Sequence, residues 1–269
     1  MRATHRQSGF TLVEAIIAIV ITGIIGAMVA VFIARPIQGY FDSVRRAALT
    51  DVADLALKRM GLEIRTAVPN SVRVDASGRY VEFIPARFGG RYCSDVLASC
   101  DALSFGGSDT AFRVLGPTHD AAAGESLVIY NTGQAGLDAY AGDNRRTISS
   151  TGTTTTAIGF SGTGFAFASP SSRFQVVGSD GPVTFACASV GGTTDGTGTL
   201  TRHVGYGYQV AQPTSGLGSG GLLADKIVEC GFEYQPVNAL NGLVTLRLRL
   251  LSDSESVTLV YQIHVDNQP

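Results

Sequence analysis

Apolar residues are not spread evenly along this chain. From Phe10 to Ala34 run 25 residues of which only Glu14 carries a charge. Wound as a helix, they would extend roughly 37 Å, enough to cross bilayer hydrocarbon with some tilt. Arg2, His5 and Arg6 precede the run, which predicts a cytoplasmic N-terminus and a C-terminal bulk across the membrane. Arg35-Pro36 follows and predicts a bend or break, because proline lacks the helical donor and crowds the preceding turn. Beyond it Phe41, Val44, Ala48, Val52, Leu55 and Met60 recur at three- to five-residue spacing, with Leu49, Ala53, Ala56 and Ile64 alongside. Charges from Asp42 to Glu63 fill much of the remaining surface. The pattern predicts an amphipathic helix over 35–70, closed at Val68-Pro69-Asn70 because the residue before proline avoids helical geometry.

From residue 71 the period changes. Short β-type runs at 80–85, 126–131, 174–177, 183–187, 206–211 and 227–234 lie between turns rich in Gly, Ser, Thr and Asp. The strongest signal is C-terminal. Val244, Leu246, Leu248 and Leu250 alternate with polar residues, and Val257, Leu259, Tyr261, Ile263 and Val265 repeat the alternation after a polar turn. Two such runs predict an antiparallel hairpin with one buried face. Residues 147–164, 191–198 and 213–221 read as long surface loops, taken as tolerated insertions. One helix and a largely antiparallel sheet make an α+β fold.

Composition narrows the picture. The 269 residues carry a formal charge of −2, and no basic stripe with interleaved aromatics points to nucleic acid. Four cysteines lack metal-site spacing. Beside an export segment an even count predicts disulfides; of the three possible pairings, sequence proximity favours Cys93 with Cys100 and Cys187 with Cys230.

Glu14 is what separates the readings of the N-terminal run. A carboxylate in hydrocarbon costs roughly 2.5–3.5 kcal/mol or more. A cleaved secretory signal has a shorter apolar core. A plain anchor explains the length but not the charge. Gly9-Phe10-Thr11-Leu12-Val13-Glu14, behind a short basic leader and ahead of the long apolar run, resembles the processing site of the type IV pilin family. The resemblance implies cleavage between Gly9 and Phe10 by a prepilin peptidase, N-methylation of Phe10, and retention of the helix in the mature subunit. It also implies that Glu14 pairs with the Phe10 amine of a neighbouring subunit, since pairing offsets much of the cost of burying a charge. Gly23 and Gly26 either let such helices approach closely or reflect the ordinary tolerance of glycine in membrane helices.

The implied fold is a long N-terminal helix, half in the membrane and half packed on a β-rich head carrying loop insertions. The domains are then a leader at 1–9, an assembly helix at 10–34, an amphipathic continuation at 35–70 and a head at 71–269. Patches at Arg35–Tyr40, 65–73, 83–92 and 130–143 are similar to the O-component minor pilins of mannose-sensitive haemagglutinin (MSHA) pilus biogenesis. That likeness implies a minor type IV pilin of a Gram-negative envelope, held in the inner membrane and then in a surface pilus. Its partners would be other pilin subunits, the prepilin peptidase and the inner-membrane assembly platform. A type II secretion pseudopilin and an adhesin-like binding module are the rival readings.

Chemistry is sparse. Gly216-Leu217-Gly218-Ser219-Gly220-Gly221 satisfies the dinucleotide fingerprint formally but follows a polar turn rather than a strand. Gly159-Phe160-Ser161-Gly162 has Thr163 where a nucleophile elbow needs glycine. His119, His203 and His264 are scattered. Asp138, Asp143 and Asn144 offer oxygen ligands of the type calcium takes, though these residues are ordinary in turns. The expectation is a structural subunit, with no catalytic residues and no cofactor.

Overall fold

A computed structural model describes residues 9–94, 100–116, 119–149, 156–238 and 240–269. The chain divides into two compact units, Met1–Ala48 and Leu49–Pro269. The helix α1, Leu12–Ile64, contributes to both.

In the first unit the apolar side chains of α1 are exposed, among them Leu12, Ile16, Ile24, Met28 and Phe32. Among the described residues α1 is the one helix long and apolar enough to cross a membrane. Thr22, polar within this run, satisfies its hydroxyl by donating to Ala18 O (2.7 Å). The expected break at Pro36 is absent: the residue lies inside α1. Proline removes a single backbone bond, and flanking turns can carry a helix through it.

In the second unit, Leu49, Ala53, Ala56, Leu57, Met60 and Ile64 form the buried face of the helix. This corrects the predicted stripe, since Val52 and Leu55 are exposed. Apolar residues occupy more than one face here, so spacing alone did not choose between them. The small side chains of Ala53, Ala56 and Gly61 decide the matter, because they let the helix lie close. A Cβ on Gly61 would come within van der Waals overlap of the Tyr261 ring, at 2.5 Å. The helix ends at Ile64, short of residue 70. Thr66 Oγ1 donates to Glu63 O (2.7 Å) there, and the Glu63 carboxylate accepts from Arg202 Nε (2.7 Å).

After the helix come β1 (Arg73–Val74) and β2 (Tyr80–Phe83). Then follow β3 (Ala86–Tyr92), β4 (Ala111–Leu115), β5 (Ser126–Val128), β6 (Arg145–Ile148), β7 (Ala157–Ser161) and β8 (Arg173–Val177). The chain continues through β9 (Val183–Ala188), β10 (Gly198–His203), β11 (Gly221–Asn238), β12 (Asn241–Ser252) and β13 (Glu255–Asp266). Strands β1-β2-β9-β10-β11-β12-β13 form an antiparallel sheet in that order. The terminal hairpin keeps an unbroken register from Asn241↔Asp266 to Ser252↔Glu255. Val244, Leu246, Leu248 and Leu250 face the helix, as their alternation predicts.

The segment between β2 and β9 is a second structure, the closed barrel β3-β4-β7-β6-β5-β8. Its core is aromatic: the Phe112 ring meets Phe174 edge-on at 5.4 Å, and Phe160 meets Phe165 at 5.1 Å. Leu127, Ile148, Ile158 and Val176 complete it. Two expectations fail here and nearby. Residues 147–164 are not simply a loop, since β7 lies within them and buries Ile158 and Phe160; 150–155 fall outside the described residues. Residues 206–211 are not a strand. Gly205 and Gly207 take positive φ, 75° and 80°, a conformation that breaks an extended ladder.

Candidate functional site

The sequence points to the start of α1. Gly9, Phe10 and Thr11 precede the helix, and both Gly9 and Phe10 are exposed. Thr11 supplies the N-cap: the Glu14 N–H donates to Thr11 Oγ1 at 3.3 Å, and Ala15 N–H to Thr11 O at 3.2 Å. Thr-Leu-Val-Glu has the spacing of a capping box. Glu14 lies in the first helical turn, where the helix dipole favours a negative charge. The T-x-x-E signal of this cap is present in the sequence. The Gly9–Phe10 peptide thus lies outside the helix, directly before its cap, with both residues exposed among the described residues. The remainder of the expected leader, 1–8, lies outside the described residues.

In the second unit both disulfides pair as proximity suggested, Cys93 with Cys100 and Cys187 with Cys230. The second staples β9 to β11 near the start of β10, where Gly198 pairs with Ile227. Farther along β11, Phe232 N–H donates to Gly78 O (2.7 Å).

The acidic loop builds its own turns. Asp143 Oδ2 accepts from Gly136 N–H (2.9 Å), and Asp138 Oδ1 from Tyr140 N–H (2.9 Å). The Asn144 amide donates to Tyr130 O (3.0 Å). Among the described residues no three or more His, Cys, Asp or Glu form a metal-holding group. The histidines fall on separate elements. His119 stacks on Phe88 at 5.5 Å, and burial lowers its pKa. His203 bonds Thr201 (2.8 Å), and His264 is exposed on β13. Ser161 ends β7, and Gly221 opens β11 rather than a helix.

Sequence reasoning missed a buried polar network. Glu82, fully buried on β2, accepts from Arg73 Nε (2.7 Å) and Tyr206 O–H (2.9 Å). Burial raises the Glu82 pKa, while both donors pull it down. The Arg73 guanidinium lies 3.6 Å from the Tyr140 ring centroid. It also donates to Gln209 O and Val210 O, and so fastens the loop after β10 to the short edge of the sheet. Arg73 and Glu82 are 9 residues apart and directly opposed in the β1–β2 register, a pairing visible only once that hairpin is placed.

Comparison with known families finds the model described as the prokaryotic N-terminal methylation motif, matching residues 4–30. No curated protein and no solved structure matches the chain. An N-terminal methylation segment on an apolar helix, followed by antiparallel sheets, supports a type IV pilin-like or pseudopilin subunit.

Proposed function

We propose that this chain is a minor type IV pilin of an MSHA-like pilus, a structural subunit that helps initiate or cap assembly. The observation that carries the reading is the placement of exposed Gly9 and Phe10 directly before the Thr11 cap, with Glu14 in the first turn. A peptidase needs an extended, reachable peptide, and this one adjoins a helix apolar enough to stay in the membrane after cleavage. The N-methylated Phe10 amine of one subunit would then meet Glu14 of the next in the helical bundle of the fibre. The chain would sit in the inner membrane with its N-terminus cytoplasmic, and later in the pilus. It would be no enzyme; its partners would be other pilins, the prepilin peptidase and the assembly platform.

The barrel between β2 and β9 favours a low-copy position over a tightly tiled shaft, and it supports a second reading as a binding module at a tip. Intact mass and N-terminal sequencing of the membrane-derived chain, with and without active prepilin peptidase, test the proposal. A chain beginning at N-methyl-Phe10 only when the peptidase is active is expected. A chain that keeps its leader in both strains refutes it. Loss of surface fibres on deletion separates a pilin from a secretion pseudopilin, whose loss would stop protein export instead.

A further inference from the structure

The barrel is closed, but the sheet that carries the helix ends in two outer strands, β1 and β13. The two edges differ. β1 has 2 residues, and the Arg73 guanidinium at its start fastens Gln209 and Val210 beside it through their carbonyl oxygens. β13 has 12 residues and pairs with β12 without a register shift. A long bare edge is a template for pairing, and proteins blunt such edges with charge, proline, a bulge or a covering segment. From Ser256 to His264 β13 carries no proline, no bulge and no Asp, Glu, Lys or Arg.

The ladder fixes where the free backbone groups point. Asn267 N–H donates to Leu240 O (2.8 Å), one step beyond the Asn241↔Asp266 pair, so the odd-numbered residues of β13 bond to β12. Ser256, Thr258, Val260, Gln262 and His264 therefore aim their N–H and C=O groups away from the sheet. Their side chains are exposed, with Val260 at the centre 58% exposed. The odd positions Val257, Leu259 and Tyr261 pack on the helix–sheet core and remain only partly buried. The edge thus offers a row of donors and acceptors above an apolar floor that one more strand would complete.

We propose that β13 docks a β-strand of a different polypeptide, uncharged at its centre and apolar at the alternate positions that face the helix side. Strand addition of this kind draws affinity from main-chain bonds and specificity from alternate side chains. A second copy of this chain does not fit. An antiparallel β13–β13 joint sets a two-fold axis normal to the sheet, which reverses the helix lying on it, whereas two helices that start in one membrane run the same way. That step alone rests on the membrane placement proposed above. A parallel joint needs facing residues staggered by one, because each bonds to the two that flank its neighbour, and a closed two-fold pair cannot supply the stagger. A head-to-tail joint would need β1, which is short and has the Gln209–Val210 loop beside it.

Site-specific photo-crosslinking of the full chain in the membranes of its native host tests this, with a benzophenone side chain placed in turn at Thr258, Val260 and Gln262. All three capture the same non-identical protein, and each two-residue step along β13 moves the captured position two residues along that partner, as paired strands require. With the label at Gln262, Val260→Pro removes one outward N–H without touching the β12 ladder, and Val260→Lys adds a charge to the edge. Each lowers the yield tenfold or more, and the lysine variant, at an exposed position, keeps the fold if proline strains it. Intact mass of the captured chain reads its N-terminus in the same sample, so a retained leader would fail the pilin reading while leaving the strand pairing in view. Capture of a second copy at β13, captured positions without the two-residue step, no captured protein, or yields unchanged by the Val260 variants would each overturn the proposal.

Discussion

Replacing Arg73 by methionine isolates what the buried network contributes. Methionine keeps most of the length but leaves the Glu82 carboxylate, fully buried, with Tyr206 as its remaining side-chain donor. Breaking a buried pair by removing one partner costs about 3–5 kcal/mol. Arg73 is 22% exposed, which places the cost near the lower end, at about 3 kcal/mol. In a domain of this size each kcal/mol moves the melting temperature by about 2–4 °C, so a fall of roughly 6–12 °C is expected. The pH dependence gives the sharper test. Burial raises the folded-state pKa of Glu82 above its ordinary 4.5, and loss of Arg73 raises it further. An acid whose folded pKa is raised is most stabilising when protonated. Its contribution is full below 4.5 and is lost as pH climbs through the window up to the folded value. The deficit of Arg73→Met is therefore smaller at pH 4 than at pH 7.5, and the double variant Arg73→Met/Glu82→Gln recovers much of it at pH 7.5. Far-UV circular dichroism melts of the chain without residues 1–34 measure both. Equal deficits at the two pH values, with no recovery in the double variant, would refute the reasoning.

The two disulfides differ in the loop they close, 43 residues of separation for Cys187–Cys230 against 7 for Cys93–Cys100. Chain-entropy arguments make that about 4 against about 2.5 kcal/mol, so Cys187→Ala/Cys230→Ala should lower the urea midpoint more than Cys93→Ala/Cys100→Ala; the reverse order would contradict it. Met60→Ala opens a cavity in the fully buried face between helix and sheet and should cost about 2–5 kcal/mol, read from the same urea curves. Glu14→Gln should leave cleavage at Gly9–Phe10 intact by mass spectrometry while removing the chain from sheared surface fibres. Normal incorporation would show that Glu14 serves only its own helix end.

The parts of this fold that were legible in the sequence are those whose signal is long. Twenty-five residues of apolar helix and a hairpin with twelve paired positions leave little room for another reading. The barrel was illegible for the opposite reason. Its strands are 3 to 7 residues long, and short runs such as Ala111–Leu115 alternate correctly without exceeding what chance provides. Glycine and threonine around residues 147–164 suggested an insertion without a core, yet Ile148, Ile158 and Phe160 supply core positions. Tyr206 and Tyr208 imitated a strand, and only the left-handed glycines beside them show why they are not one. At the N-terminus the cleavage motif and the Thr11 cap occupy the same residues, so the T-x-x-E signal of the cap is masked by the motif and by the apolar run that follows it.

The placement of the barrel explains how so large an addition is compatible with the fold. Strands β2 and β9 are antiparallel neighbours, with Phe83 opposite Val183. After two intervening residues, Ile84 and Pro85, the chain enters β3, which pairs with β8 from Ala86↔Val177 onward. The insertion thus leaves and returns through adjacent strands, and its ends are already at ladder spacing before the barrel is considered. Its aromatic core shares no residue with the core between helix and sheet. A small third cluster, with Ile84, Val128, Tyr140 and Val177, packs at the junction. Because the two large cores are separate, side chains on the outer wall of the barrel can change without repacking the helix on its sheet.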